Sequence, residues 1–392
     1  MNIRNAMIKT NPLANNPGPS GSGKIVFVFD RVMHYHRDTM SKFEQEVEAL
    51  GYEFILLSSR DKPDSTGRVG LDTQVVKKHI YFRLIERKIG TFYLRYQYGL
   101  LTLIRKIKPD VVVSLGHSGT ISEWGLLFLK KQLGFRHIAW QCGYEYNPGK
   151  LKYWLLKKFV PRFDHHLAYH TNARHYAVAH GARPDQVTIM HNTINETAIV
   201  CVPKRAAREQ ISERHSAVVG KKIILYVGAV LSEKRLEVVF EAMDILGRED
   251  LVFLLVGDGP YLDTIKKKYG YRKDVLILGQ IVEGVGLYFD AADVFVLPGT
   301  GGLAINEAMA HGVAVISGYA DGSADDLVID GKNGFRIKEG SVAEMAECLL
   351  NVLSDPAAAS TMGEEGRHMI RGNLSFERFA ERVVRVLVNA KS

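Results

Sequence analysis

The chain of 392 residues contains only three cysteines and no long apolar segment. Because Cys142, Cys201 and Cys348 lie far apart, we expect neither a disulfide framework nor a structural zinc site, and the pattern fits a reducing cytosol. No apolar run approaches the roughly 20 residues that cross a bilayer, and the N-terminus lacks the apolar core of a signal peptide. The sequence therefore predicts a cytoplasmic protein that begins with a polar, disordered leader over residues 1–23.

Signals of nucleic-acid binding and of metal binding are also scarce. The formal net charge of +8 fits nucleic acid, an anionic membrane surface or phosphorylated small molecules as partners. The sequence has no nucleic-acid module with paired Cys/His or an aromatic strand signature, so no nucleic-acid partner is expected. His166 and His170 are four residues apart, but Leu167–Tyr169 has the composition of a strand, in which this spacing does not converge on one ion. No metal site is therefore predicted.

The chain does contain an alternation of short apolar runs with amphipathic stretches, which predicts an α/β fold with two doubly wound parallel sheets. The first series begins with a strand at Ile25–Phe29 and includes a helix predicted over Leu94–Lys106. The second series runs from Ile223–Val227 to Val313–Ser317. We assign the domains to residues 24–200 and 201–374, followed by a helical segment at 375–392. Ligands of such sheets bind in the loops at the carboxyl ends of the strands.

The loop after the predicted strand Val294–Leu297 carries the strongest chemical signal. Pro298 ends the strand, and the three glycines within Gly299–Gly302 allow the backbone to approach a ligand closely. A helix follows at once, and its unpaired N–H groups and positive dipole end favour an anion. The alternative is that the glycines only make a tight strand-to-helix turn and that Glu307, on the helix, is solvated.

Five segments, taken in order, resemble the retaining glycosyltransferases of the GT-B fold, specifically those of family 4. They are Leu225–Leu236, Leu255–Pro260, Ala291–Pro298, Asn306–Gly312 and Asp330–Gly334. The resemblance extends from about Lys24 to the C-terminus and implies two Rossmann-like domains that face a central cleft. It also implies that the final helix, Phe376–Val388, packs back onto the N-terminal domain. A nucleoside diphosphate sugar would be the donor substrate, with no cofactor and no metal ion, since the metal-dependent type has an Asp-x-Asp pair that this sequence lacks.

The resemblance implies roles for residues of the C-terminal half. Lys234 matches the lysine that contacts the donor diphosphate and Glu307 matches the glutamate that contacts the ribose, so both are the catalytic candidates. Gly299 stands where the family has a further glutamate on the donor sugar, and Ala229 stands where it has an arginine on the diphosphate. The donor-binding candidates are Gly228, Gly257, Gln280, Ile281, Gly299, Thr300, Gly301, Gly302 and Leu303.

A cation at position 234 also has a physical rationale. A departing nucleoside diphosphate gains negative charge on its β-phosphate as the glycosidic bond breaks, so an ammonium there stabilises the transition state more than the ground state. The alternative is that Lys234 is an exposed lysine between Glu233 and Arg235.

Polar side chains that follow strands of the N-terminal half are the acceptor candidates. His34, His36 and Arg37 follow the first predicted strand, whereas His117 and Glu145 follow later ones. The alternative is that these side chains are only solvated at helix starts. None is a convincing general base, which fits a family in which the departing phosphate is thought to take the acceptor proton.

Residues 150–162 combine apolar and aromatic side chains with lysines, a composition typical of an interfacial helix and also of a domain helix with snorkelling lysines. With the family resemblance, this predicts a hexosyltransferase of cell-surface polysaccharide or glycolipid synthesis that uses a glycan or lipid-linked acceptor. Its location would be the cytoplasm or the inner face of the membrane. Two alternatives stay open: a GT-B sugar-nucleotide epimerase or hydrolase, and a non-catalytic partner subunit that kept the fold.

Overall fold

Two β-sheets organise the chain, and helices alternate with their strands along the sequence. The computed structural model describes residues 23–60, 74–89, 92–143, 149–281 and 283–389. The first sheet contains β1 (Lys24–Val28), β2 (Glu53–Ser59), β3 (His79–Ile89), β4 (Phe92–Tyr98), β5 (Val111–Ser114), β6 (Arg136–Gln141), β7 (His165–Ala168) and β8 (Val187–Ile189). The second contains β9 (Lys222–Val227), β10 (Leu251–Val256), β11 (Val275–Gly279), β12 (Val294–Leu297), β13 (Val315–Ser317) and β14 (Gly334–Arg336).

The helices cover these sheets. In the N-terminal part they are α1 (Arg37–Ala49), α2 (Leu100–Ile107), α3 (Ile121–Leu133), α4 (Lys150–Phe159) and α5 (Thr171–Ala179). In the C-terminal part they are α6 (Lys204–Arg214), α7 (Glu237–Leu246), α8 (Leu262–Tyr269), α9 (Gly286–Ala291), α10 (Leu303–Ala310), α11 (Ala324–Leu327), α12 (Val342–Ser354), α13 (Pro356–Arg371) and α14 (Phe376–Val388).

The strands of the first sheet lie in the order β4-β3-β2-β1-β5-β6-β7-β8. Alternate side chains of β1 enter different apolar clusters, Ile25 and Phe27 on one face and Val26 and Val28 on the other, so the strand is buried on both faces. Because β1 pairs with both β2 and β5, the winding reverses between β1 and β5. Such a reversal opens a crevice at the carboxyl ends of the two strands.

The predicted helix Leu94–Lys106 is wrong in its N-terminal half. Residues Phe92–Tyr98 form β4, which pairs antiparallel with β3, and the helix α2 begins at Leu100. Gly99 separates the two elements with a φ of 87°, which glycine adopts without strain. The prediction of wholly parallel sheets therefore fails at this edge. The aromatic composition of β4, typical of strands, was the signal that sequence analysis overlooked.

The second sheet is parallel throughout its described pairs, in the order β11-β10-β9-β12-β13-β14. In chain order within this sheet, this is the 3-2-1-4-5-6 arrangement of dinucleotide-binding folds. The winding reverses between β9 and β12. The crevice at this point is therefore bounded by the loops that follow Val227 and Leu297.

The last helix, α14, packs on the first sheet's core. The ring centroid of Phe379 lies 5.6 Å from that of Phe43 on α1 and 6.1 Å from that of Trp140 on β6. Arg136 Nη1 also donates a hydrogen bond to Asn389 O over 2.6 Å. The chain thus returns to its N-terminal unit after completing the second sheet.

Hydrogen bonds join the carboxyl edges of the two sheets. Thr171 N, just after β7, donates to Asp326 Oδ2 over 2.8 Å, and Asn172 Nδ2 donates to Asp325 Oδ2 over 2.7 Å. The two aspartates lie on α11, which follows β13. The crevices of the two sheets therefore open towards the same interface.

Candidate functional site

The loops that follow β9 and β12 are joined to each other by hydrogen bonds. Thr300 N donates a hydrogen bond to Glu233 O over 3.1 Å, and Lys234 Nζ donates one back to Thr300 O. Lys234 ends the short 3-10 turn Ser232–Lys234 and is only 9% exposed, so it is not the exposed lysine of the alternative interpretation. The glycine-rich turn and this ammonium form one structure at the point where the winding reverses.

The start of α10 offers unpaired backbone donors beside this ammonium. A Cβ atom on Gly301 would lie 2.9 Å from Lys234 Nζ, and Gly301 has a φ of 132°. The backbone N–H groups of Gly302, Leu303 and Ala304 make no hydrogen bond to any residue that the structure describes. A cation together with unpaired N–H groups at a helix start favours an anion such as a phosphate.

Gly299 is what allows the two loops to approach. A Cβ atom at this position would lie 2.1 Å from Glu233 O and 2.6 Å from Lys234 C, both of them backbone atoms. Any side chain would therefore push Glu233 and Lys234 away from the turn. A glutamate, which the family resemblance implies at this position, does not fit this approach of the loops.

Gly228 and Gly257 bring the loops after β9 and β10 into backbone contact. A Cβ atom on Gly257 would lie 1.8 Å from Gly228 O. The φ value is 146° for Gly257 and 151° for Gly228. Gly257 N donates to Gly279 O, at the end of β11, over 2.7 Å. Gln280 and Ile281 follow, the first exposed and the second half-buried. These donor-site candidates therefore share one sheet edge with the glycine-rich turn.

Glu307 lies on α10, one turn beyond its start. Its carboxylate has no hydrogen-bond or ion-pair partner among the residues described. Burial raises the pKa of this carboxyl above its ordinary value, and the neighbouring His311 acts in the opposite direction. A half-buried carboxylate with unused acceptor positions is suited to the hydroxyl groups of a diol. The ribose contact of Glu307 remains a prediction.

The crevice of the first sheet holds the acceptor-side candidates that are described. His34 and His36 form a 3-10 turn soon after β1, Arg37 begins α1, and His117 follows β5. They are therefore brought to the two strands between which the winding reverses. Glu145 lies outside the described residues.

The ring of His36 supports the turn itself. His36 Nδ1 accepts a hydrogen bond from Met33 N over 3.1 Å, and its ring centroid lies 5.3 Å from that of Phe29. A side chain with these partners is held in place by the fold. The structure therefore gives less support to a role of His36 in binding the acceptor substrate.

A network of charged side chains lies at this crevice, and most of its members were not predicted from the sequence. Arg95 Nε donates to Glu86 Oε1 over 2.8 Å, and Arg95 Nη1 lies 3.5 Å from Asp30 Oδ2 and 3.4 Å from His117 Nδ1. Gln97 Nε2 donates to Asp30 Oδ1 over 2.7 Å. Glu86, Arg95 and Gln97 belong to the β3-β4 hairpin, which the wrong helix assignment concealed. His117 was an acceptor candidate from its position after a strand, and Asp30, two residues beyond the end of β1, also had a positional signal.

A second, fully buried polar cluster holds the loop of His117. Glu123 accepts hydrogen bonds from Ser114 Oγ over 2.7 Å and from Gly116 N over 3.2 Å, and Ser114 Oγ also lies 2.8 Å from His137 Nε2. Burial raises the pKa of Glu123 to about 8 and lowers the pKa of His137 to about 3. Near neutral pH both side chains are therefore mainly uncharged, which makes their burial tolerable.

One group of described residues has the geometry of metal ligands, and it is not the histidine group considered above. The ligand atoms of Cys201, Asp290 and His311 lie within 4.8 Å of one another. However, Asp290 Oδ1 lies 2.7 Å from His311 Nδ1, and Asp290 Oδ2 accepts a hydrogen bond from Val202 N over 2.8 Å. These hydrogen bonds are sufficient to explain the cluster.

The architecture is that of the GT-B glycosyltransferases. HepE of Anabaena, solved in complex with UDP, matches 94% of this chain and 100% of its own, with a TM-score of 0.75 and 12% identity. WaaG, a glycosyltransferase involved in lipopolysaccharide biosynthesis, matches 93% of this chain and 100% of its own, with a TM-score of 0.65 and 16% identity. At such identities the likeness establishes the fold alone.

The sequence also matches the models of two glycosyltransferase families. Residues 42–198 match the family described as Glycosyltransferase Family 4, and residues 207–369 match Glycosyl transferases group 1. Together the two matches cover most of the chain, which therefore belongs to the group 1 glycosyltransferases, as the five sequence segments predicted.

Relatives of assigned activity match only part of the chain. A GDP-mannose-dependent alpha-(1-6)-phosphatidylinositol monomannoside mannosyltransferase of Mycolicibacterium smegmatis is 28% identical over 201 residues, which are 47% of this chain and 52% of that protein. The sulfoquinovosyl transferase SQD2 of Arabidopsis thaliana is 25% identical over 283 residues, 68% of this chain and 54% of that protein. The chain thus spans about half the length of these relatives.

Proposed function

We propose that this protein is a retaining glycosyltransferase that moves a sugar from a nucleoside diphosphate sugar to a hydroxyl group of an acceptor. The observation that carries the proposal is the buried Lys234 ammonium beside the backbone N–H groups at the start of α10, which have no partner among the described residues. A cation and a helix start at a winding reversal are suited to a diphosphate.

In the proposed reaction the nucleoside diphosphate is the leaving group. The bond between the anomeric carbon and the β-phosphate oxygen breaks, and Lys234 and the N–H groups stabilise the charge that grows on the phosphate. The acceptor oxygen bonds to the same face of the anomeric carbon, and its proton passes to the departing phosphate. This scheme needs no protein base, no cofactor and no metal ion.

The remaining donor-site residues would hold the nucleoside. Glu307 would accept hydrogen bonds from the ribose hydroxyls, since its carboxylate has no protein partner in the described part of the chain. The backbone of Gln280 and Ile281, at the end of β11, would bind the edge of the base. The acceptor would enter from the first sheet's crevice, near His34, Arg37 and His117.

One of these relatives supports a lipid-linked acceptor. The M. smegmatis relative is named for transfer to a phosphatidylinositol monomannoside, and SQD2 is named for transfer of sulfoquinovose. We therefore extend the proposal to the synthesis of a cell-surface polysaccharide or a glycolipid by a cytoplasmic hexosyltransferase.

Helix α4 supports contact with a membrane surface. It buries Leu156 and Phe159 in the domain core but leaves Trp154 56% exposed, next to exposed Lys157 and Lys158. Aromatic and basic side chains on one exposed face favour an anionic interface. None of the helices within the described ranges is long and apolar enough to pass through a bilayer.

The membrane contact can be measured by co-sedimentation with anionic vesicles. We expect Trp154→Ala to lower the bound fraction several-fold, whereas Tyr271→Ala, which removes an 81% exposed aromatic of the other unit, leaves it unchanged. Equal sedimentation of both variants and the wild type would remove α4 from this role.

The function itself is tested by binding and turnover. Thermal-shift and calorimetric titrations with UDP, GDP, TDP and ADP should identify at least one stabilising diphosphate, since a ligand that binds only the folded state raises the melting temperature. The matching sugar nucleotide should then transfer its sugar to lipid or glycan acceptors. Absence of binding to all four would favour the non-catalytic subunit, and epimerised sugar formed without an acceptor would favour the epimerase.

A further inference from the structure

An unassigned carboxylate covers the face of the glycine-rich turn next to Lys234. A Cβ atom on Gly302 would lie 2.9 Å from Asp321 Oδ2 and 2.9 Å from Ser323 Oγ. Asp321 follows β13, which pairs with β12, so its loop starts at the same sheet edge as the turn. The ammonium of Lys234 and this carboxylate therefore lie at two successive glycines, Gly301 and Gly302.

Local hydrogen bonding does not use the full capacity of these two side chains. Asp321 Oδ1 accepts a hydrogen bond from Ser323 N over 3.1 Å, but Asp321 Oδ2 has no hydrogen-bond partner within the described ranges. Ser323 Oγ is buried and also has no partner there. A carboxylate oxygen and a hydroxyl on one glycine face thus have acceptor and donor positions to offer to a ligand.

The chemistry of the ligand follows from the charge. A carboxylate repels phosphate, so the group next to Asp321 cannot be the diphosphate that Lys234 attracts. Neutral hydroxyl groups are suited to it, because hydrogen bonds to an ionised acceptor are the stronger ones. A sugar joined to the diphosphate supplies such hydroxyls one bond away from the phosphate.

The position relative to the other domain agrees with this assignment. Gly322 follows Asp321, and a Cβ atom there would lie 2.8 Å from His170 Cε1 of the first unit. Asn172 Nδ2 donates to Gly322 O over 3.2 Å. The loop of Asp321 therefore borders the interface, the side from which an acceptor would reach the transferred sugar.

We propose that Asp321, assisted by Ser323, binds the hydroxyl groups of the donor sugar and selects the sugar. The proposal rests on the proposed function, since it requires a diphosphate at Lys234. It also accounts for Gly299: the loop approach excludes a side chain at that position, and the carboxylate comes from the neighbouring strand's loop instead.

The test compares each sugar nucleotide with its own diphosphate. Calorimetry with a nucleoside diphosphate that the wild type binds (UDP, GDP, TDP or ADP) and with the matching glucose or mannose nucleotide gives the ratio of the two dissociation constants for the wild type, Asp321→Asn and Ser323→Ala. The control is Asp330→Asn, which removes the same charge from an exposed residue that bonds to Arg336. Thermal unfolding verifies that each variant folds.

We expect Asp321→Asn to reduce the relative affinity for the sugar form about tenfold or more, the scale of a hydrogen bond to a charged group. Binding of the diphosphate alone should stay equal or become tighter, because a negative charge has been removed. Ser323→Ala should shift the ratio in the same direction by less, and Asp330→Asn should not shift it.

Two results would contradict the proposal in distinguishable ways. If the wild type binds a diphosphate and Asp321→Asn leaves the ratio unchanged, the assignment of Asp321 is overturned and the proposed function is not. If the wild type binds none of UDP, GDP, TDP and ADP, with or without a sugar attached, the proposed function fails and the assignment fails with it.

Discussion

The two sheets reverse their winding in the same way, but they build the resulting crevices from different atoms. At the β9–β12 reversal the surface is built from the N–H groups at the start of α10, closely packed glycines and the ammonium of Lys234. At the β1–β5 reversal it consists of side chains, in which Arg95 joins Asp30 and Glu86. One crevice is therefore fixed by local chain geometry and the other by long-range contacts.

This difference teaches how the two sites would diverge. A backbone cradle binds what every nucleoside diphosphate has in common, and few substitutions change it without breaking the turn. A network of charged side chains can be altered one residue at a time, so it is suited to acceptors that differ between proteins. We therefore expect substitutions in the β9–β12 crevice to cause large losses of activity. Substitutions in the β1–β5 crevice should have smaller, graded effects on activity.

The largest effect is expected for Lys234→Ala. Removal of the ammonium should lower release of the diphosphate from a sugar nucleotide by about 10²-fold or more, the scale for losing a preorganised donor to a developing charge. The buried side chain contacts the turn through Thr300 O, so thermal unfolding is measured in parallel. Lys267→Ala, on the exposed face of α8, is the control and should keep the wild-type rate. A wild-type rate in Lys234→Ala would remove this residue from catalysis.

Gly299→Ala tests whether the cradle depends on backbone approach. The added Cβ would meet Glu233 O at 2.1 Å, so the loop that carries Lys234 must move away from α10. We expect a loss of roughly 10²-fold in the same assay, the scale for misplacing a catalytic group by about 1 Å. Gly149→Ala is the control because its Cβ would meet open space. Retained activity in Gly299→Ala would contradict the packing role.

Glu307→Gln should have a smaller effect, confined to binding. Loss of the carboxylate's charge weakens hydrogen bonds from a diol, so we expect about tenfold lower affinity for the nucleoside diphosphate by calorimetry. Glu347→Gln, exposed on α12, serves as the control. Wild-type affinity in Glu307→Gln would separate this residue from the nucleotide.

The same contrast explains which features were predictable from the sequence. The glycines, Lys234 and Glu307 stand in fixed order along a strand, a turn and a helix, and local patterns indicate such units directly. Gly299 departs from the family pattern for a reason that its own segment does not show. Glycine is needed there because the backbone at Lys234, some 65 residues earlier in the chain, packs against it. No local pattern records that distance.

The first crevice was less predictable for a related reason. Arg95 contributes to the network only because β4 folds antiparallel onto β3, whereas its sequence neighbours read as a helix. Asp321 was missed because nothing in its own loop, residues 318–323, indicates that the side chain reaches Gly302 in the loop of the neighbouring strand. In both cases the function of a side chain depends on which strand lies next to it, and that is a property of the whole sheet.

The smallest effect is expected for Glu123→Gln, which should change how the stability of the N-terminal unit depends on pH. Burial raises the pKa of Glu123 to about 8 from an ordinary value of 4.5. Between these two pH values the folded protein holds a proton that the unfolded chain releases, so stability is highest below the lower value and is lost as the pH rises through the upper one. A glutamine has no such proton, so the variant should lack this decline.

The measurement uses the three tryptophans, Trp124, Trp140 and Trp154, which all lie in the N-terminal unit. Their fluorescence during thermal unfolding at pH 5 to pH 8.5 reports on the unit that contains Glu123. We expect the wild type to lose a few degrees relative to Glu123→Gln as the pH rises, whereas Glu377→Gln, an exposed carboxylate paired with Lys42, should follow the wild type. Parallel curves for Glu123→Gln and the wild type would mean that the buried cluster does not hold its proton.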